Sequence, residues 1–363
     1  MLLKEAMTTL YSDCTSKTLH RLQIEPLQAS HKFVETPSLA ETKVAKVLLP
    51  APPPAMKVSS SDFTLTKEEA TPEAIIENLK KYGVCKVNNL FDNTEIDSIN
   101  AELDPFFAEK QNDPRLFPKE TIRVTNTVSK SPLVVNKIMS HPLNLAVAHK
   151  TLDQANAFWI GDNLNIGYCP AVVSSSIAFQ VAPNSAYQAL HRDDQSDHNV
   201  RVSQTYQSFD FSSESQIGFS VALTRTTKQN GATRIIPGSH MWDHLQKPDL
   251  KDCIYNEMDK GDATFMLASV VHSASSNTTE NEVRRILILF MGRGIYRAKE
   301  NIFINADLTY FRQFSEKQLA RLGFAMSEPF GNMYELQDPM ACLKPDYQRT
   351  SNYSDICKVV HQN

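Results

Sequence analysis

The chain has 363 residues, enough for one large domain or two ordinary ones, with the apolar and charged fractions of a globular protein. Its formal net charge of -4 gives no basic footprint for nucleic acid, and no apolar run approaches the ~20 residues that span a bilayer. Six scattered cysteines without a Cys-x-x-Cys pair argue against a disulfide scaffold or zinc knuckle, and predict free thiols in a reducing, cytoplasmic setting.

Residues 1–60 show no clear period and run into Pro50-Ala51-Pro52-Pro53-Pro54, the composition of a stiff linker or disordered extension. Lys4 and Glu5 interrupt the N-terminus too early for a secretory signal, and Met56 is an alternative start. A folded domain is expected over 61–330, with a helical part at 65–150, a strand-rich core at 155–305 and a tail at 331–363.

Thr71-Pro72 reads as an N-cap followed by proline at the first helical position; Ile75, Ile76 and Leu79 mark one face, and Gly83 stops the helix. Val84–Val87 reads as a short strand. Asp92 or Asn93 caps a second helix with Ile96, Ile99, Leu103 and Phe106 on its buried side. A third helix is expected over 132–139. Strand-like runs follow at 174–181, 217–223, 233–236, 263–267 and 285–290, punctuated by Gly231, Pro237-Gly238 and Gly261. That pattern suggests a sandwich or barrel, with a jelly roll the natural candidate. A late helix begins at Ser315, with a capping box to Gln318, and ends at Gly323.

The chemistry concentrates at His191-Arg192-Asp193 and at His272, 81 residues later. Two imidazoles and one carboxylate form a facial set for non-haem Fe(II) that leaves one side of the ion open. Residues two apart on an extended strand share a side, so Asp193 joins His191 while Asp194 faces away. His198 and His240 are rival third ligands, and His198 is also a candidate for the substrate mouth.

Four blocks occur in order: Gln188-Ala189-Leu190-His191-Arg192-Asp193-Asp194; Asn230-Gly231-Ala232-Thr233-Arg234-Ile235-Ile236-Pro237-Gly238-Ser239-His240; Gly261-Asp262-Ala263 leading to His272; and Asn277 with Arg284-Arg285. Together they resemble the phytanoyl-CoA dioxygenase family of Fe(II)/2-oxoglutarate oxygenases over roughly residues 65–325, and most of all its fungal branch that tailors secondary metabolites. The resemblance implies a mainly β double-stranded β-helix (jelly roll, cupin-like) with flanking helices. His191, Asp193 and His272 would be metal ligands and catalytic residues, and 2-oxoglutarate would be converted to succinate and CO2 with O2 as the oxidant. Arg284 would hold the distal carboxylate of 2-oxoglutarate, with Arg285 as rival because strand alternation lets only one point inward. Gln188 and Thr233 would be polar contacts to the same molecule, and Asn277 would shape the turn after His272. A carboxylate ligand in place implies hydroxylation, desaturation or related oxidation rather than halogenation.

The implied substrate is a small, largely apolar natural product, and fungal relatives imply a homodimer. An acyl-CoA hydroxylase of lipid breakdown is the alternative, though no Lys/Arg cluster marks a CoA phosphate site. A non-catalytic jelly-roll binding module is the third reading. Ile122, Val124, Thr125, Phe179 and Met266 are candidates for the pocket wall, more readily explained as core.

Overall fold

The computed structural model describes residues 56–109, 118, 120–243, 246–304 and 306–347, with the strand backbones at 33–35 and 43–45. The chain divides into two units. One comprises 1–54, 200–205 and 241–247; in it β1 (Phe33–Glu35) pairs antiparallel with β2 (Lys43–Ala45). The rest of the expected 1–60 extension up to residue 55 lies outside the described residues. Everything below concerns the other unit.

Local chemistry sets its opening elements. After β3 (Thr64–Leu65), the helix Pro72–Tyr82 starts where the Thr71 hydroxyl accepts from the Ala74 amide, and ends at Gly83 with φ 78°. Only glycine suits that position, since a Cβ there would lie 2.4 Å from Val270 Cγ2. β4 (Val84–Val87) follows. Asp92 and Glu95 form the reciprocal cap of helix Asn93–Ala108, whose buried face is Ile96, Ile99, Leu103 and Phe107. Phe107 thus replaces the expected Phe106, which lies under the Lys130 ammonium instead. β5 (Thr121–Val124) comes next. The helix expected over 132–139 is a wide π turn, Val134–Met139.

A two-stranded ribbon, β6 (Gln154–Ile160) and β7 (Asn163–Cys169), precedes the barrel strands. These are β8 (Val172–Val181), β9 (Gln216–Ala222), β10 (Thr233–Ile235), β11 (Ile254–Asn256), β12 (Ala263–Leu267), β13 (His272–Ala274) and β14 (Arg284–Gly292). The major sheet has the order β3-β4-β12-β9-β14-β8-β5 and the minor sheet β11-β10-β13. From β8 to β14 the chain passes repeatedly from the major sheet to the minor one and back, at the His191 bridge, the β10–β11 hairpin and β13, which is the winding of a double-stranded β-helix. The Asn256 amide on β11 donates to the Thr264 hydroxyl on β12 at 3.0 Å, a polar tie from sheet to sheet.

β9 and β12 are buried along their whole length, as central strands covered on both faces must be. Phe219 and Phe265 stack across them at 4.5 Å. Phe179 and Ile288 pack on Ala222, Met258 and Ile286, and Val124 is buried, so these pocket-wall candidates serve the core. The capping box of Ser315 and Gln318 opens the helix Glu316–Arg321 as expected. The tail is described to residue 347 and carries the short helix Met340–Leu343, with both end residues buried. Among the described residues, no helix is long and apolar enough to cross a membrane.

Phe219 is fully buried at the centre of the major sheet. Replacing it with alanine is expected to lower the unfolding free energy by about 3–5 kcal/mol in urea denaturation; a loss below about 1 kcal/mol would mean that this pair is peripheral to the core.

Candidate metal centre

The site begins with a main-chain pair. His191 N–H donates to His272 O at 3.0 Å and His272 N–H to His191 O at 2.9 Å, so the two residues face each other across an antiparallel bridge. β13 continues from there, His272 opposite Ile235 and Ala274 opposite Thr233 on β10. Directly opposed residues share a face, so Thr233, Ile235, His272 and Ala274 lie on one side of the minor sheet and Arg234 with Ser273 on the other.

Past His191 the chain turns into the short 3-10 segment Asp193–Asp197. The amides of Asp193 and Asp194 both donate to Ala268 O, at 2.9 and 3.1 Å. Lys299 Nζ donates to Asp193 O at 2.7 Å and lies 3.4 Å from the Asp197 carboxylate. These contacts aim the Asp193 carboxylate at the imidazoles. Its oxygens lie 3.7 Å from His191 Nε2 and 3.5 Å from His272 Nε2. The three ligand atoms fall within 4.8 Å of one another, and among the described residues no other His, Cys, Asp or Glu joins them.

Protonation follows from the second nitrogen of each ring. His191 Nδ1 contacts Ala189 O at 2.9 Å and His272 Nδ1 contacts Val270 O at 3.0 Å. A carbonyl can only accept, so Nδ1 carries the proton and Nε2 presents its lone pair to the centre. Burial, then the neighbouring His272, holds the His191 imidazole below its ordinary value, which keeps it neutral. One carboxylate and two neutral imidazoles, without a thiolate, suit a divalent ion such as Fe(II).

The rivals are elsewhere. Asp194 is buried beside Arg192, with Arg192 Nε 3.5 Å from its carboxylate. His198 is exposed at the left-handed residue that ends the 3-10 segment. His240 donates from Nε2 to Lys80 O at 3.0 Å, closing the end of helix Pro72–Tyr82. The Asn277 amide donates to Val181 O and Glu282 O while its oxygen accepts from Thr279, as a turn-shaping residue should.

Alternation along β14 separates the two arginines. Arg285 Nε donates to Gln180 Oε1 at 2.7 Å, its guanidinium pairs with Asp104 and lies 4.5 Å from the Phe107 ring. Arg284 points to the other face, is 3 % exposed, and its Nε and Nη1 have no hydrogen-bond partner. Burial pushes its pKa down to about 10. A guanidinium kept in that state is adapted to a carboxylate arriving from outside the chain. Gln188 Oε1 accepts weakly from Ala274 N–H at 3.4 Å. Thr233 sits half-buried between Ala274 and Asn256 on the inner face of the minor sheet.

The chain matches the profile of the family described as phytanoyl-CoA dioxygenase over residues 79–286. The chain belongs to that family. With membership go dioxygenase activity and dependence on Fe(II) and 2-oxoglutarate. Among its relatives, dioxygenase peniF of Penicillium patulum is 33% identical over 75% of this chain and 88% of its own length. Dioxygenase cnsJ of Penicillium expansum is 32% identical over 80% and 89%. Among solved structures, HygX from Streptomyces hygroscopicus, with nickel and 2-oxoglutarate bound, overlaps at TM-score 0.47 and 14% identity over 63% of this chain and 90% of that one.

Lys299 and the Ala268 carbonyl are the parts of the site that sequence reasoning missed; both act through backbone contacts that no motif records. Arg284→Met is expected to raise the stability of the ligand-free protein by about 1–3 kcal/mol, since it removes unpaired buried donors. Calorimetric melting checks this; a lower melting temperature would show that the guanidinium is satisfied.

Proposed function

We propose that His191, Asp193 and His272 hold Fe(II), that Arg284 binds the distal carboxylate of 2-oxoglutarate, and that the protein oxidises a small, largely apolar natural product in secondary metabolism. The observation that carries the residue roles is the pairing of a converging His-Asp-His set with a buried guanidinium left without partners. Iron with 2-oxoglutarate supplies the oxidising power drawn from O2, the co-substrate leaving as succinate and CO2. The chain's own part is to orient and to exclude water. The Ala189 and Val270 carbonyls fix the imidazole tautomers, and the Ala268 carbonyl and Lys299 hold the main chain of Asp193, which positions its carboxylate. Gln188 and Thr233 are assigned to the co-substrate's polar rim. Thr233 is supported by its half-buried position on the inner face of the minor sheet, the face that carries His272.

No Lys/Arg cluster in the sequence marks a CoA phosphate site, and this, with the fungal relatives named dioxygenases, favours a natural product over an acyl-CoA. The free thiols of Cys85, Cys169, Cys253 and Cys342 support a reducing, cytoplasmic setting.

A homodimer is part of the same reading, and the outer face of the β6–β7 ribbon supports it. Trp159 faces Leu164 and Ala157 faces Ile166 across the ribbon, and Tyr168 continues the row. Trp159, Leu164 and Ile166 are each more than half exposed, and no charge interrupts the face. With large side chains of ~150–250 Å², these residues expose roughly 500 Å², against ~800 Å² per partner in a standard interface. An uncharged patch can meet its own copy across a two-fold axis without repulsion.

Two experiments test this. Arg284→Met is expected to raise the 2-oxoglutarate KM by about 100-fold or more, and Arg285→Met to leave it within about threefold, in a succinate-release assay; equal effects would remove the assignment. Joint Trp159→Glu and Ile166→Glu substitution is expected to convert dimer to monomer in sedimentation velocity, and an unchanged sedimentation coefficient would place the interface elsewhere.

A further inference from the structure

The strand that delivers His191 does not pair regularly with β13. His191 and His272 exchange both main-chain hydrogen bonds, yet the next bond runs from Gln188 N–H to Ala274 O at 3.0 Å. Three residues on one side are thus matched by two on the other, so Ala189-Leu190 is a bulge placed directly before the first histidine. A bulge leaves ladder groups without their usual partners. Here two side chains take over. Gln188 Oε1 accepts from Ala274 N–H, and Arg234 Nη2 donates to Gln188 O at 3.1 Å.

Arg234 does more than fill that one bond. Its Nε donates to Ser273 Oγ at 3.1 Å and its Nη2 also reaches Ala274 O at 3.4 Å. The guanidinium therefore spans both strands, three residues before His191 and one or two residues after His272. It does so from the back of the minor sheet, the face opposite His272. The Tyr187 ring lies 5.2 Å from its Cζ and covers it. Among the described residues no carboxylate pairs with Arg234, and its acceptors are two carbonyls and one hydroxyl, which a planar fork can address together and a lysine cannot.

We infer that Arg234 is a positioning residue for the metal centre: it locks the bulge at Ala189-Leu190 and so fixes the approach of His191 to His272. The inference rests on the reading that His191, Asp193 and His272 bind the metal, and it adds a role for a residue that touches neither metal nor co-substrate. Locking a bulge fixes where the imidazole is delivered, so loosening it spreads the ligand positions and weakens the ion without removing any ligand.

Cobalt(II) is the probe, because its visible d–d absorption reports ligand geometry independently of turnover. Arg234→Met is expected to weaken Co(II) binding on the order of tenfold or more and to change the intensity and position of the band. Arg234→Lys should fall between, and Ser273→Ala, which removes one of the three acceptors, should shift affinity in the same direction but less. Melting of the metal-free variants separates this from simple destabilisation: a structural role alone would lower the melting temperature and leave the cobalt spectrum as in the parent. Parent-like affinity and spectrum in both folded arginine variants would overturn the positioning role while leaving the metal site standing. A parent protein that takes up no cobalt would overturn the metal-site reading and the positioning role with it.

Discussion

Two hydrogen bonds between the main chains of His191 and His272 are the constraint on which the centre depends. The residues are 81 apart in sequence, so bringing them together carries a loop-closure cost of about 4 kcal/mol or more before any contact is gained. The jelly roll meets that cost with sheet. β12 crosses the major sheet and turns at Leu267–Val271, and β13 starts on His272 itself. The turn is anchored from three directions: Leu267 N–H on Gly83 O, Val271 N–H on the Ser239 hydroxyl, and the Ala268 carbonyl under the Asp193 amide. Helix Pro72–Tyr82 therefore reaches the centre through its terminal glycine, although it supplies no ligand.

Charge in the interior follows the same economy. The centre holds a single carboxylate, Asp193, and two imidazoles whose Nδ1–H groups are tied to carbonyl acceptors. Arg284 is the counterpart, a buried cation with open donors on the inner side of β14. By contrast, Arg285 is satisfied on the outer side by Asp104, Gln180 and the Phe107 face. Two neighbours in sequence thus take opposite faces, one tying a helix to the sheet and one buried with open donors.

Much of this was legible in the residues. Caps and stops are local, so Thr71-Pro72, Gly83, Asp92 and Ser315 marked their helices correctly. The long buried strands β8, β9, β12 and β14 were visible as apolar or β-branched runs. Strands of three residues, such as β10, β11 and β13, are too short to show a period; β10 was visible only through its turn residues, and β11 and β13 were not seen. The β6–β7 ribbon was missed because its apolar residues face outward and its Asn165 and Gly167 inward, the reverse of the usual pattern. Phe106 and Phe107 were exchanged because neighbouring positions on a helix differ by only a third of a turn. In the centre, the residue types that carry chemistry stood out and the separation of Arg284 from Arg285 required the strand's facing. Lys299 and Arg234 act on carbonyls of distant segments, and a carbonyl is the same in every residue.

The most direct test is an anaerobic titration of the purified protein with Fe(II) and 2-oxoglutarate, read by visible absorption. Chelation of the co-substrate on a facial His-Asp-His iron centre produces a weak charge-transfer band, which should saturate at one iron per chain and vanish in His272→Ala. A folded protein that shows no band at saturating iron and co-substrate would contradict the account and leave a jelly roll whose converging side chains serve another ion or none.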